Sequence, residues 1–352
     1  MKNFFVLFII TLFLAACFSP WQGDEGNLTI AWGQSGNGRS LDLSLIPRYV
    51  VTLKGSGGTV EKEFLNVTSG TISVIPGTWS VTVKGYERDD SPGGSYNDLV
   101  VYGLEYPVEI KAGKKENKSI GMYDACEAGN WIKVRDYCSS LYGSKSIVLI
   151  TGSFDTVNLV TAGLPNQQIT IDGDVILVAE KPVTIRRGRS GGVLIPGSFV
   201  NIDSARSLTL GLPGMTGTIT FDGNDDGTPT ATVMNNSGNL IMNDGVTIRN
   251  NRVAAVSSGG AVTVIGNGHF IMNGGTIYDN IAGPASGNPG NGGGVCLFSA
   301  GNKFTMNGGT ITRNTCLPFG TTPGKGGGVY RSGTFIWNGG TISGNSPDNI
   351  YP

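Results

Sequence analysis

From Asn27 to Met122 the chain alternates apolar and polar residues in short runs: Leu28–Trp32, Tyr49–Lys54, Thr71–Ile75, Trp79–Lys84, Tyr106–Ile110 and Asn117–Met122. A period of two sends successive side chains to opposite faces of a strand. Turn-forming clusters separate the runs at Gly55-Ser56-Gly57-Gly58, Pro76-Gly77, Pro92-Gly93-Gly94 and Ala112-Gly113-Lys114-Lys115. About a hundred residues with some seven such strands predict an immunoglobulin-like β-sandwich over residues 27–123. Trp79, inside an alternating run, is expected to anchor its core.

The C-terminal half follows a longer period. Near-identical units run from Phe270 to Asn280, Phe304 to Asn314 and Phe335 to Asn345, with a looser copy from Leu240 to Asn251. Their Asn-Gly steps, Asn273-Gly274, Asn307-Gly308 and Asn338-Gly339, are 34 and 31 residues apart. Each unit follows a second motif, Gly259-Gly260-Ala261-Val262, Gly292–Val295 or Gly326–Val329. Periods of this size indicate a repeat architecture. Each unit holds three short strands, which in the last copy are Gly328–Arg331, Thr334–Trp337 and Thr341–Ser343. The turns between them are too short to reverse as hairpins, so the pattern predicts stacked coils in which every strand lies parallel to its copy above and below. The fold class expected is all-β, a right-handed parallel β-helix preceded by a β-sandwich. Residues 239–352 form its regular repeats and residues 146–238 its degenerate coils, carried by Gln168–Ile171, Val183–Ile185, Phe199–Ile202, Ser207–Leu210 and Gly217–Phe221. Residues 124–145 are read as a linker or cap, with an N-terminal cap of the coils also placed around Ile147–Phe154. Asparagines at 250, 280, 314 and 345 would line up as a ladder at one corner.

At the other end a single Lys2 precedes an apolar run, Phe4–Leu14, that closes on Ala15-Ala16-Cys17. The run is short for a permanent membrane span and matches the apolar region of a secretory signal. Leu14-Ala15-Ala16-Cys17 resembles the bacterial lipobox. The resemblance implies that residues 1–16 are removed, that Cys17 is lipidated and anchors the chain in a membrane, and that residues 17–26 are a tether. Phe18 replaces the Asp that retains some lipoproteins at the inner membrane, which favours the outer membrane, at the cell surface or on the periplasmic face.

Composition supports this picture. Fifty-six glycines against 14% charged residues argue for short strands and tight turns rather than helices. A net charge of −1 offers no electrostatic footprint for nucleic acid. Four cysteines besides Cys17 fall into two local pairs. Pairing Cys126 with Cys138 and Cys296 with Cys316 would close the shortest loops; the alternative is four buried thiols.

The repeated Phe-x-Met-Asn-Gly-Gly-Thr-Ile-x-x-Asn units, with Gly-Gly-Gly-Val between them, resemble the repeat lipoproteins of spirochaetes and, more faintly, chlamydial polymorphic outer-membrane proteins. That resemblance implies a β-helix at the cell surface, with adhesion or an unassigned role. Ile75–Val83 with Val108–Gly113 resembles prealbumin-like or carboxypeptidase-regulatory-like modules, which implies a stalk.

Candidate chemistry is sparse. The segments following the corner asparagines, 252–258, 281–291 and 315–325, vary between copies and would protrude side by side, which makes Arg252, Asn288, Asn291, Phe319 and Lys325 a candidate recognition edge for a glycan or a cell-surface protein. Asp222-Gly223-Asn224-Asp225-Asp226-Gly227 opens like a calcium loop, with Asp222, Asn224 and Asp226 as oxygen ligands, but Val233 stands where the bidentate Glu would be. Arg186-Arg187-Gly188-Arg189 reads as a solvated turn or a weak anion patch. His269 is the only histidine and reads as an exposed turn residue. No cofactor is implied. The reading expected is a lipid-anchored, adhesin-like or structural scaffold without catalytic activity. The alternative is a polysaccharide-active β-helix with its site between Asp172 and Asp226, marked by a lateral groove with at least two facing carboxylates.

Overall fold

A computed structural model describes residues 25–34, 42–55, 57–87, 98–139, 146–157, 168–254, 259–283 and 289–352. Cys17, the signal segment, most of the tether and Asn288 lie outside the described residues.

The N-terminal region forms two β layers around one core. In one, Ser69–Val74 runs antiparallel to Gly26–Gln34, which runs parallel to the start of Lys115–Ala128. In the other, Gly58–Leu65, Arg48–Gly55, Gly77–Glu87 and Asp98–Ile110 form, in that order, an antiparallel sheet. Inward positions from both layers, among them Leu28, Ile30, Val51, Leu53, Val81 and Val108, are fully buried. Trp79 is part of that core, and its indole N–H donates to the Ile75 carbonyl. The strand Gly58–Leu65 was not legible as apolar alternation because most of its positions face solvent.

The junction differs from the expected linker. Lys115–Ala128 is one strand that passes through the expected boundary at 123, and its last four residues pair in parallel with Ile147–Ile150. The sandwich sheet therefore continues into the solenoid. Leu99 and Tyr102 pack with Ile147, Leu149 and Val178, Lys84 pairs with Glu180 at 2.8 Å, and the Ser80 hydroxyl donates to the Gly214 carbonyl. These contacts seat the sandwich on the side of the first coils rather than extending it as a free stalk. Between the two lies a short helix, Trp131–Cys138, whose Asn130 side chain accepts from the Lys133 N–H. Trp131, Val134 and Cys138 point into the end of the solenoid core, with the Trp131 ring edge-on to Phe199 at 6.0 Å. This helix is the cap, and Ile147–Phe154 already belongs to the first coil.

From Ile147 onward the chain is a parallel β-solenoid with three principal faces of seven strands each. Ile147–Ile150, Asp174–Val178, Ser207–Leu210, Asn239–Met242, His269–Met272, Lys303–Met306 and Thr334–Trp337 make the first face. The second face ends on Val183–Arg186, Ile219–Asp222, Val246–Arg249, Thr276–Tyr278, Thr310–Thr312 and Thr341–Ser343, above Phe154–Asp155. The third runs from Ile169–Ile171 to Ile350–Tyr351. Pairing is in register throughout, so like residues stack: Leu208, Leu240, Phe270, Phe304 and Phe335 form one interior column. The three phenyl rings sit 4.8 and 4.9 Å apart, the separation of neighbouring strands. Burial alternates along strands such as His269–Met272 and Lys303–Met306, which leaves their alternate side chains toward the outer surface.

The corner after the second face carries an internal asparagine ladder. The backbone N–H of Asn251, Asn280 and Asn314 donates to the side-chain oxygen of Asn280, Asn314 and Asn345 respectively. The Asn314 amide also donates to the Ile277 and Thr312 carbonyls, satisfying backbone groups that the corner removes from the sheets. A glycine triplet lies across this corner because no side chain fits there: a Cβ on Gly293 would collide with the Gly327 carbonyl of the next coil. The first rung is Asn251, not Asn250. Counting four residues from the strand threonine (Thr247, Thr276, Thr310, Thr341) reaches Asn251, Asn280, Asn314 and Asn345, whereas Asn250 sits at positive φ and reaches out toward Asp222.

Candidate functional site

The outer end of the second face gathers a row of charged side chains. Asp155, Arg186, Asp222, Arg249, Tyr278 and Thr312 occupy equivalent places in successive coils, because parallel register stacks them one strand apart. Opposite charges thus alternate along the axis. Arg186 makes a two-point contact with Asp155 at 2.9 and 3.0 Å, and Arg249 donates to Asp222 and to the Tyr278 hydroxyl, each at 3.0 Å. The following residue turns the corner in the left-handed conformation, held by Asn250, Asp279, Arg313 and Gly344 at φ of 52, 54, 54 and 65°. Asn and Asp tolerate that region and glycine is free in it; Arg313 is the costly exception. Its guanidinium grips Asp279 at 2.8 and 2.9 Å and lies 4.9 Å over the Tyr278 ring.

Members of these columns line a groove of about 460 Å³ that runs over five coils, with Arg186, Asp222, Asp225, Asn250, Asp279 and Arg313 joined by Ile281 and Thr315. Asp225 is held by Arg252 at 2.9 Å. Asp222 accepts from Arg249 and from the Asn224 backbone N–H. The Arg313 guanidinium holds the Asp279 carboxyl below the usual carboxylate range. Every carboxylate in the groove therefore has an arginine against it.

The side chains of the expected calcium loop are engaged by protein partners. Asp222 turns to Arg249, while Asp226 accepts from the Thr228 N–H and pairs with Arg189 at 2.7 Å. Hydrogen bonds from the Thr228 backbone and side chain, and then Arg189, hold the Asp226 carboxyl down at about 2. Asn224 stands at positive φ with its amide on the Arg187 carbonyl. The three ligands assigned to calcium thus point at separate protein partners. Among the described residues no three His, Cys, Asp or Glu side chains converge on one point.

The arginine cluster also divides. Arg186 and Arg189 are ion-paired at the surface, but Arg187 is fully buried. It donates to the Ile195, Gly197 and Ala231 carbonyls and to the Asn251 side-chain oxygen, and lies 4.7 Å over the Phe199 ring. Burial pushes its pKa down, and the four oxygens around it hold the charge in place. His269 lies in a first-face strand, half-buried, with its Nε2 3.0 Å from the Thr305 hydroxyl.

The variable segments do start side by side. Arg252-Val253, Ile281-Ala282 and Thr315-Cys316 stack as a three-stranded parallel sheet. Of the edge residues beyond them, Phe319 is exposed, Asn291 bridges to Lys325, and the Lys325 ammonium sits 5.3 Å over Tyr351. Arg252 faces inward onto the groove wall through Asp225, so the edge and the groove adjoin. The four cysteines are buried thiols and neither expected disulfide is formed, although the members of each pair are close enough for one thiolate to raise the pKa of the other. Burial and the neighbouring thiol push Cys296 up to about 12, and Cys316 rises as far, which removes both from nucleophilic chemistry near neutrality.

A lateral groove with facing carboxylates was expected only as the alternative and only between Asp172 and Asp226; the part played by Asp279 and Arg313 was missed because the acids do not recur at one consensus position. The signal was the residue after each Thr-Ile pair: Arg249, Tyr278, Thr312 and Ser343, with Asp222 one coil earlier. Comparison with known protein families, with curated proteins and with solved structures finds no match to this chain.

Proposed function

We propose that this chain is an exported lipoprotein of the spirochaete repeat type, anchored in the outer membrane through Cys17, whose solenoid is a non-catalytic scaffold binding a partner along the groove edge. The observation that carries the binding reading is that Asp222, Asp225 and Asp279 are each neutralised by an arginine. General acid catalysis needs a carboxyl that holds its proton near neutrality, which burial or a like charge provides. Asp279 is displaced in the opposite direction, toward the ionised form. Fixed pairs instead give a rigid row of donors and acceptors, the property of a recognition surface. The sandwich, immunoglobulin-like in its two-layer build, steadies the first coils on the side nearer the anchor.

The anchor is tested on cells. Mass spectrometry of the mature N-terminus should find an acylated Cys17, and Cys17→Ser should release the protein from the membrane. Protease applied to intact cells should liberate repeat peptides; protection until the envelope is broken would place the scaffold in the periplasm. An unlipidated protein in the cytoplasm would overturn the proposal.

One observation favours the polysaccharide-active alternative. Three carboxylates, Asp222, Asp225 and Asp279, face one lateral groove. On that reading substrate would have to displace at least one arginine before chemistry could begin.

A further inference from the structure

We propose that the groove binds an extended, uncharged glycan chain lying along the solenoid axis. This rests on the binding reading above and adds the class of ligand.

Length comes first. The lining residues Arg186, Asp222, Asn250, Asp279 and Arg313 belong to five successive coils, and four strand spacings of about 4.8 Å make a site about 19 Å long. A compact ligand would fill one end; a linear chain of several units meets the whole row.

Charge comes second. Arg186, Arg249, Arg252 and Arg313 each already hold an aspartate, two of them through two-point contacts. A ligand carboxylate, sulfate or phosphate would have to break such a pair and leave the displaced aspartate beside it. A hydroxyl has no such requirement. It donates to a free carboxylate lone pair while accepting from a guanidinium N–H, so a polyhydroxylated chain adds to the network without dismantling it. The amides of Asn224 and Asn250 and the Thr315 hydroxyl extend the same vocabulary.

Other polymers fit less well. A peptide would need either a free strand edge or apolar anchor pockets. Here the strand edges are consumed by the coil above and the coil below, and among the described residues Ile281 is the one apolar lining residue. A nucleic acid would meet three carboxylates.

The test uses the full lipidated chain in detergent micelles and calorimetric titration with chitohexaose, cellohexaose and maltohexaose, their disaccharides, and hexagalacturonate. At least one neutral hexasaccharide should bind at least about tenfold more tightly than its disaccharide, with an affinity that added NaCl leaves unchanged. The double variant Asp279→Ala/Arg313→Ala removes one pair without stranding a charge, and Ile281→Trp fills the groove while keeping every pair. Each should weaken binding at least about tenfold, whereas Arg48→Ala, on the remote sandwich face, should not. Circular dichroism and melting of each variant separate lost binding from lost fold. Failure of every neutral hexasaccharide to bind, or preferential salt-sensitive binding of hexagalacturonate, overturns the ligand class while leaving the anchored scaffold intact. Binding followed by shortening of the hexasaccharide keeps the ligand class and overturns the non-catalytic reading.

Discussion

The regular coils after Asn239 and the degenerate coils before it share one register but close their corners by different chemistry. In the regular part Asn251, Asn280, Asn314 and Asn345 repeat one solution: the backbone N–H of each of the first three donates to the side-chain oxygen of the next, and every side-chain amide donates to local carbonyls. In the earlier coils Arg187 spans several of those jobs at once, bonding three carbonyls and the first asparagine of the ladder. The fold requires that corner oxygens be satisfied and that interior columns be filled; it does not require that the residues recur. Consensus is therefore one route to a solenoid, and individual compensation is another.

Interior filling should matter equally in both regions and give the largest effect. Phe304→Ala and Phe221→Ala, both from fully buried positions, should each cost about 3–5 kcal/mol in urea unfolding. A much smaller loss at Phe221 would mean that the early coils are loosely packed, and would separate the two regions. Next comes the corner. Arg187→Met keeps the bulk but leaves four oxygens without their donor, so a loss of about 3 kcal/mol is expected, set against about 2 kcal/mol for Asn314→Ala. Equal losses would show that the arginine is no more than another rung.

The outer ladder provides the contrast. Asn273, Asn307 and Asn338 also chain their side chains together, at 2.9 and 2.8 Å, but in water. Asn307→Ala should cost under about 0.5 kcal/mol, because solvent replaces what is lost. The smallest effect concerns the groove. The folded pKa of Asp279 lies below its unfolded value, so its stabilising contribution is complete above the ordinary carboxylate value of 3.8 and is lost as pH falls through the lowered one. Arg313→Ala should move the Asp279 carboxyl carbon titration upward, toward that ordinary value, in an NMR experiment. An unmoved titration would mean that the pair does not form in solution.

Much of the solenoid was legible because register stacks identical letters. Phe270, Phe304 and Phe335, and the threonine-to-asparagine step of four, are periodic in the chain and therefore in space. Short runs such as Val183–Ile185 and Ser207–Leu210 sufficed to trace the early coils as well. What escaped was carried by single residues acting across coils. The doublet Asn250-Asn251 hides which member turns inward, and Arg187 in a basic cluster looks solvated although it is wholly buried. The helix Trp131–Cys138 shows three inward positions at helical spacing, but eight residues in a glycine-rich β chain give little periodicity to notice. The continuous strand Lys115–Ala128 crosses what composition marks as a boundary. The reach of the groove beyond Asp226 escaped for a related reason: Asp222 stands in a different column from Asp279 and Arg313, all three stand in different coils, and only stacking makes them neighbours.

Recognition without reaction is the property proposed for this groove. Its most direct test is a time course by mass spectrometry of a neutral hexasaccharide incubated with the full chain near neutral pH, alongside an Asp279→Asn variant. The hexasaccharide should persist unchanged at its starting mass with both proteins. Shortened or unsaturated products that appear with the parent chain and vanish with Asp279→Asn would contradict the proposal.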